Sequence, residues 1–274
     1  MQIGFSINEI LFLATLVTGG LWLAWRLRMR RAGKVPAHKP WWVSFGAELF
    51  LVVGLMFTCR VAVADWPRVP SGSMEPTLRV GDYLLVNHLA YGPRLPFTNT
   101  AIEWGRPERG DVVVFRYPVD VSQYYVKRLV GLPGDVVQFQ DGALSVNGAP
   151  IDVRWLGEGG AVDPGSKAGG EPAPEDRGQW LLRETVEGHS RTVKVNPFVQ
   201  GRLPLDGLAS HCEVQRPGAW QCRVPAGHYL MLGDNRDNSV DSRTWGFLPH
   251  EQVYGKAVRV LFNIHDLSRR WLAL

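Results

Sequence analysis

Three motifs are missing from this sequence. There is no G-x-S-x-G, no H-E-x-x-H and no S-x-x-K. The first absence excludes the nucleophile elbow of the α/β-hydrolases, the second a zincin metal site, and the third the penicillin-binding and β-lactamase signature. The seven histidines are scattered, with none beside another at metal-ligand spacing. "DNSVDSRTWGFL" alternates oxygen residues at Asp237, Ser239 and Asp241, but a calcium loop would need Gly where Ser242 stands and Glu where Leu248 stands. No metal and no cofactor is therefore expected. Cysteine is scarce, at three residues. Cys59 lies in an apolar stretch and reads as a buried free thiol. Cys212 and Cys222 bracket a Pro-Gly loop and make a candidate disulfide for an oxidising compartment.

Acidic residues are absent from 26–39, where Arg26, Arg28, Arg30, Arg31, Lys34 and Lys39 cluster. The remaining 24 basic residues face 26 acidic ones, a balance of −2. Nucleic-acid binding would spread basic residues over a folded surface, so no nucleic-acid partner is expected.

Two apolar segments flank the basic cluster, "ILFLATLVTGGLWLAW" (10–25) and "WWVSFGAELFLVVGLMFTCRVAVADW" (41–66). Each can supply the roughly 20 residues that cross a bilayer. A cleavable signal peptide would carry its positive charges before the apolar run, whereas here they follow it. The reading is a first transmembrane helix within 1–25, a basic cytoplasmic loop over 26–40 and a second transmembrane helix over 41–64. The rest of the chain then lies on the exported side. Arg60 is close enough to the end of its span to snorkel. Glu48 is expected near the interface or against the first helix.

The chain length of 274 residues suits one large or two small domains. Beyond residue 66 the pattern is mostly β. Short runs rich in Val, Tyr, Phe and Leu fall at 82–91, 110–118, 124–135, 135–148, 192–199, 228–234 and 255–264, bounded by Gly, Pro, Asp or Asn. "QDGALSVNG" carries the D-G hairpin signal. No amphipathic helix of three turns appears. The predicted fold is an antiparallel β-sheet domain built from 65–150 and 225–274, with a less regular β region inserted over 151–224. Within the insertion, 157–180 holds seven glycines and three prolines and reads as a mobile loop.

With the histidine-based arrangements gone, a serine with a lysine remains. An amine acts as a general base only when neutral, so its pKa must fall well below about 10.4. Burial in apolar surroundings lowers it. "YYVKRLVGL" places Lys127 on a strand face with Tyr125, Leu129 and Gly131, while Arg128 faces the other way with Val126 and Val130. Standing alone, such a lysine would be an edge-strand residue with a solvated tip. "VPSGSMEPTL" (69–78) supplies candidate serines. Gly72 lies between Ser71 and Ser73, and Pro70 and Pro76 stiffen the flanks.

"PSGSMEPTL" (70–78), "RGDVVVFRYP…YYVKRLVGLPGD" (109–135) and "GDNRDNSVDSRTWGFLP" (233–249) resemble, in order and separation, the successive boxes of bacterial type I signal peptidase, the leader peptidase. The resemblance covers 41 to about 262. Two spans around a basic loop resemble the Gram-negative form. It implies Ser73 as nucleophile and Lys127 as general base. Ser71 would complete the oxyanion hole with the Ser73 N–H, and Ser239 would orient the lysine. Arg236, Asp241 and Arg243 would form a charge cluster beneath the site. Val69, Pro70, Met74, Leu78, Tyr125 and Val126 would line substrate pockets. Taken alone, Ser239 reads as a turn cap and Asp241 with Arg243 as a surface ion pair. Glu75 occupies a variable position of the pattern.

The resemblance implies a membrane-bound serine endopeptidase that removes signal peptides from exported preproteins after small residues, the A-x-A pattern. Its partners would be preprotein signal peptides, membrane lipids and the export machinery. It would lie multi-pass in the bacterial inner membrane, with the catalytic domain periplasmic. A catalytically inactive, membrane-tethered β-domain that binds extended peptides would also explain the spans and strands, but not the coincidence of four serine and lysine positions. The self-cleaving repressors share the chemistry, but they lack membrane spans and carry a DNA-binding part that has no counterpart here.

Overall fold

The computed structural model describes residues 7–32, 40–92, 105–140, 143–158, 178–198, 206–208, 211–216 and 218–274. It divides into two compact units that meet in sequence between Asp65 and Trp66.

The first unit is helical. Helix α1 (Ile7–Ala32) carries Arg30 and Arg31 in its last turn, where cations complement the helix dipole. Its Ile10–Ala32 part is long and apolar enough to cross a membrane. The second apolar segment differs from expectation. It loosens at both ends, with π-helical turns at Val43–Ala47 and Cys59–Val63 on either side of α2 (Leu49–Thr58). The apolar helix within it runs only over Val43–Thr58, short of a membrane-crossing length. The charged residues Glu48 and Arg60 leave just 49–59 free of charge between them.

Arg60 forms a salt bridge to Asp65 at 2.7 Å and is buried. Rings knit the two helical segments antiparallel: Phe12 against Phe57, Trp22 against Phe50 and Trp25 against Trp42. Cys59 is free but exposed, because the π-helical turn that carries it leaves its side chain uncovered; the buried thiol expected from sequence is thus corrected. A two-residue strand, β1 (Ala64–Asp65), ends the unit.

In the second unit all the named strands pair antiparallel, and one isolated parallel bridge joins Lys194 to Asn235. Its main sheet comprises β2 (Asp82–Asn87), β3 (Val112–Arg116), β4 (Tyr124–Gly131), β13 (His228–Leu232), β14 (Leu248–Pro249) and β15 (Val253–Asn263), with β16 (Leu272–Ala273) on β15. The spatial order is β2-β15-β3-β4-β13-β14. The 11-residue β15 pairs on both sides, with register shifts between Val253 and Gly255, Ala257 and Arg259, and Val260 and Phe262. Such bulges bend and twist a long strand.

Five strands form a second sheet in the order β11-β12-β5-β6-β7: β5 (Val136–Gln140), β6 (Ala143–Val146), β7 (Ala149–Pro150), β11 (Cys212–Arg216) and β12 (Ala219–Arg223). Cys212 and Cys222 are bonded across the β11–β12 pair, directly opposite one another. A third sheet, β10-β9-β8, comes from β8 (Asp152–Glu158), β9 (Trp180–Val186) and β10 (His189–Val195). Thus 151–224 contributes strands to two sheets. β11 and β12 pair with Arg216 opposite Ala219, and Pro217 between them lies outside the described residues. Most of the Gly/Pro-rich segment, 159–177, lies outside the described residues; Glu158 and Trp180, on either side of it, pair as cross-strand partners.

Alternation along β4 sends its side chains into two separate cores. Tyr125 and Leu129 pack into a cluster with Val113, Phe115, Tyr229 and Met231. Val126 packs into another, with Val69, Met74, Leu78, Leu84 and Val114. Both faces of β4 are covered, so a charged side chain on either face must be desolvated.

Candidate functional site

Ser73 sits in a single 3-10 turn, Gly72–Met74, entered from an extended Ser71. Met74 is fully buried and anchors the turn in the core. β4 runs in the interior of the main sheet between β3 and β13, not at its edge. Lys127 is opposite Val113 on β3 and only 3% exposed. The Lys127 ammonium donates a hydrogen bond to Ser73 Oγ, across 54 residues of sequence. The Ser71 hydroxyl lies 3.4 Å from Ser73 Oγ and donates to it.

Burial dominates the electrostatics of Lys127 and disfavours the ammonium. Asp241 and Asp234 pull the other way, and Arg243 adds to the lowering. The outcome is a pKa pushed down to about 8. The aspartates do not restore the charge fully because each is already neutralised. Asp241 accepts from Arg243 Nε at 2.8 Å and Nη2 at 2.7 Å, a bidentate pair with no solvent access to the carboxylate. Asp234 accepts from Arg128 Nε at 2.8 Å and Nη2 at 2.6 Å, and from Thr77 Oγ1 at 2.6 Å. These arginines and hydrogen bonds hold both carboxyls below the usual range despite their burial.

Asp241 and Arg243 are both buried, unlike the surface ion pair that the two residues taken alone suggest. Asp241 also caps the one-turn helix α3 (Ser242–Trp245) and accepts the Gly233 N–H at 3.0 Å. Arg236 donates to Glu184 of β9 at 2.6 Å, and its main-chain oxygen accepts from Arg243.

The buried Ser239 hydroxyl has no hydrogen-bond partner of ordinary geometry among the described residues. No bond links it to Lys127. Of the expected pocket residues, Val69, Met74 and Leu78 pack together with Val126. Met74 and Leu78 expose no surface and form a floor rather than an open wall. Pro70 is exposed, and the half-buried Tyr125 stacks flat on Tyr117 at 4.3 Å.

Several residues here escaped the sequence analysis. Asn235 donates from its backbone N–H to Ser73 O at 3.1 Å and from Nδ2 to Gly72 O at 3.1 Å, fastening the serine turn to the end of β13. Gly233 leaves no room for a side chain between Ser73 and Ser239. Arg128, one residue from the lysine, reaches Asp234 on the opposite face. Only its alternation with Lys127 hinted at this, and alternation names no partner.

The chain matches the family model "Signal peptidase, peptidase S26" over residues 42–262. It is 39% identical to a signal peptidase I of Pseudomonas fluorescens over 81% of this chain and 73% of that one. It is 37% identical to a signal peptidase I of Pseudomonas aeruginosa, over 83% and 75%. A signal peptidase I of Haemophilus influenzae is 31% identical over 83% and 72%. With a match that spans both the serine turn and the lysine strand, the chain belongs to the signal peptidase family, peptidase S26, and is a peptide-bond hydrolase of the signal peptidase I type.

Proposed function

We propose that this peptidase works through a Ser73/Lys127 dyad and cleaves N-terminal signal peptides from exported preproteins after small residues. The observation that carries the reading is the buried hydrogen bond between Lys127 and Ser73, made by an amine whose pKa has fallen to about 8. When Lys127 is neutral, the same contact lets the Ser73 hydroxyl donate to the amine. As Oγ attacks the scissile carbonyl carbon, the proton passes to Lys127. The Ser71 hydroxyl and the Ser73 N–H then face the developing oxyanion. The Lys127 ammonium returns its proton to the leaving amine, and the signal peptide remains as an ester on Ser73. A water deprotonated by Lys127 attacks that ester, the acyl–oxygen bond breaks, and the hydroxyl is regenerated. The cleavage segment adds as an extended strand, and the floor of Met74 and Leu78 suits small side chains at −1 and −3. The inactive peptide-binding alternative is disfavoured by family membership.

The test is the pH dependence of kcat/KM on a preprotein with alanine at −3 and −1. The active form is the neutral amine, so the rate rises as pH passes upward through about 8. A depressed lysine pKa thus implies about a tenfold gain between pH 7 and pH 9, with a tenfold loss per unit well below the inflection. The same preprotein with leucine at −1 should be cleaved poorly. A flat profile over this range, or equal cleavage of the leucine substrate, would refute the reading.

The topology that fits is α1 in the inner membrane, the basic stretch after it cytoplasmic, and the β unit periplasmic. The second segment must then recross. Its short apolar helix can do so with local bilayer thinning, with Arg60 at the interface. Protease added outside intact spheroplasts should digest the β unit; protection until the inner membrane is breached would place it in the cytoplasm.

A further inference from the structure

A second buried lysine reaches the serine turn. Lys194, the sixth residue of β10, is 5% exposed, and its ammonium donates to Glu75 Oε2 at 3.0 Å. Glu75 stands two residues beyond Ser73 and closes the turn with its N–H on Gly72 O at 3.0 Å. Its carboxylate folds back over Gly72, where a Cβ would lie 2.9 Å from Oε1. A side chain at position 72 would thus displace the Glu75 carboxylate.

The backbone of Lys194 serves the same turn. Its N–H donates to Asp234 O and its carbonyl accepts from Arg236 N, both at 2.8 Å. Asn235, held between these two bonds, makes the contacts to Gly72 O and Ser73 O. The main chain of β10 thus braces the Asn235 anchor, and its lysine side chain grips Glu75. A buried ammonium whose partner is partly solvated is an expensive way to gain stability. It is an effective way to fix a turn, because a partner with one allowed geometry removes the turn's freedom to swing.

We propose that Lys194, acting through Glu75, is a positioning residue that holds the Ser73 hydroxyl in line for attack. The proposal rests on Ser73 being the nucleophile. Lys194 touches no reacting atom, so its removal acts on the turn and not on the base.

The experiment compares Lys194→Met, Glu75→Gln and the double variant with the full-length wild-type enzyme in detergent, on the same preprotein. Each single variant should lower kcat roughly tenfold, with KM within about twofold, as expected when only the reacting geometry is loosened. The double variant should be no worse than either single one, because the two residues act as a unit. The inflection near pH 8 should stay in place. Wild-type kcat in Glu75→Gln, whose half-exposed site tolerates the change, would overturn the proposal even if Lys194→Met failed to fold. A raised KM at unchanged kcat would reassign the pair to substrate contact and overturn it too. A moved inflection would mean that Lys194 acts on Lys127 through its charge, with the same consequence. Ser73→Ala run alongside separates the two readings: cleavage by that variant sinks the nucleophile assignment, whereas an inactive Ser73→Ala with a fully active Lys194→Met sinks only the role of Lys194.

Discussion

Lys127→Met should abolish preprotein cleavage, lowering kcat by roughly 10⁴-fold or more, the scale seen when a member of a nucleophile–base unit is removed. Methionine fills nearly the same volume and suits a site that is 3% exposed. What it removes is the proton acceptor. The nearby carboxylates cannot replace it, since Asp241 and Asp234 are each committed to an arginine and held ionised with depressed pKa values, which makes them weak bases. Stability should hold or rise, because an amine no longer has to be desolvated. Ser73→Ala should be equally inactive, and the double variant no worse than either alone. The checks are kcat in detergent and the thermal midpoint. Appreciable turnover by Lys127→Met or Ser73→Ala would dismiss the dyad.

Gly233→Ala should be the most damaging single-methyl addition near the site. A Cβ at Gly233 would lie 2.2 Å from Ser239 Oγ, 2.5 Å from Ser239 Cβ and 2.6 Å from the carbonyl oxygen of Ser73. The last contact is with backbone and cannot be relieved by a rotamer change. Nor can Gly233 retreat freely, because its N–H is held by Asp241 Oδ2 and the next residues are held by Arg128 and Lys194. The serine turn must give way instead. Displacing Ser73 relative to Lys127 by about an ångström should cost about 10²-fold in kcat. The overpacking itself should cost about 1–3 kcal/mol of stability. Adding Ser239→Gly to Gly233→Ala relieves the side-chain clash but not the clash with Ser73 O, so activity should stay low. Wild-type kcat in Gly233→Ala would mean that the serine turn is not clamped by the end of β13.

Much of the molecule was legible in the order of its residues. Period-2 alternation put Lys127 and Arg128 on opposite faces of one strand, and the two bond different partners, Ser73 and Asp234. The strands at 112–116, 124–131 and 228–232, and most of 253–263, fall within the apolar runs that announced them, because each run buries side chains on a sheet face. Strands β8, β9, β11 and β12 fall in the inserted region expected to be β, but no run in the sequence marks them individually. β8 is exposed over most of its length, with a pattern that carries little apolar contrast, and β11–β12 read as a loop because Pro217 and Gly218 follow one another in the sequence between them. The apolar helix of the second segment is shorter than its hydropathy suggests, because hydropathy sums along the chain but does not see the change of helical pitch on either side of α2.

The sequence by itself determined the β character of the second unit and the apolar N-terminal helix, which follow from residue type and period, while the pairing of Ser73 with Lys127 was implied by the resemblance to the signal peptidase boxes. The tertiary structure alone decided which charges neutralise each other around the lysine, why Gly233 has no room for a side chain, and how a strand from the third sheet grips the serine turn. Those facts join residues that are remote in sequence, Arg128 with Asp234 across 106 positions and Glu75 with Lys194 across 119. No local pattern encodes such a pairing. It exists only once both faces of β4 are covered, water is excluded, and every buried charge has to find a partner.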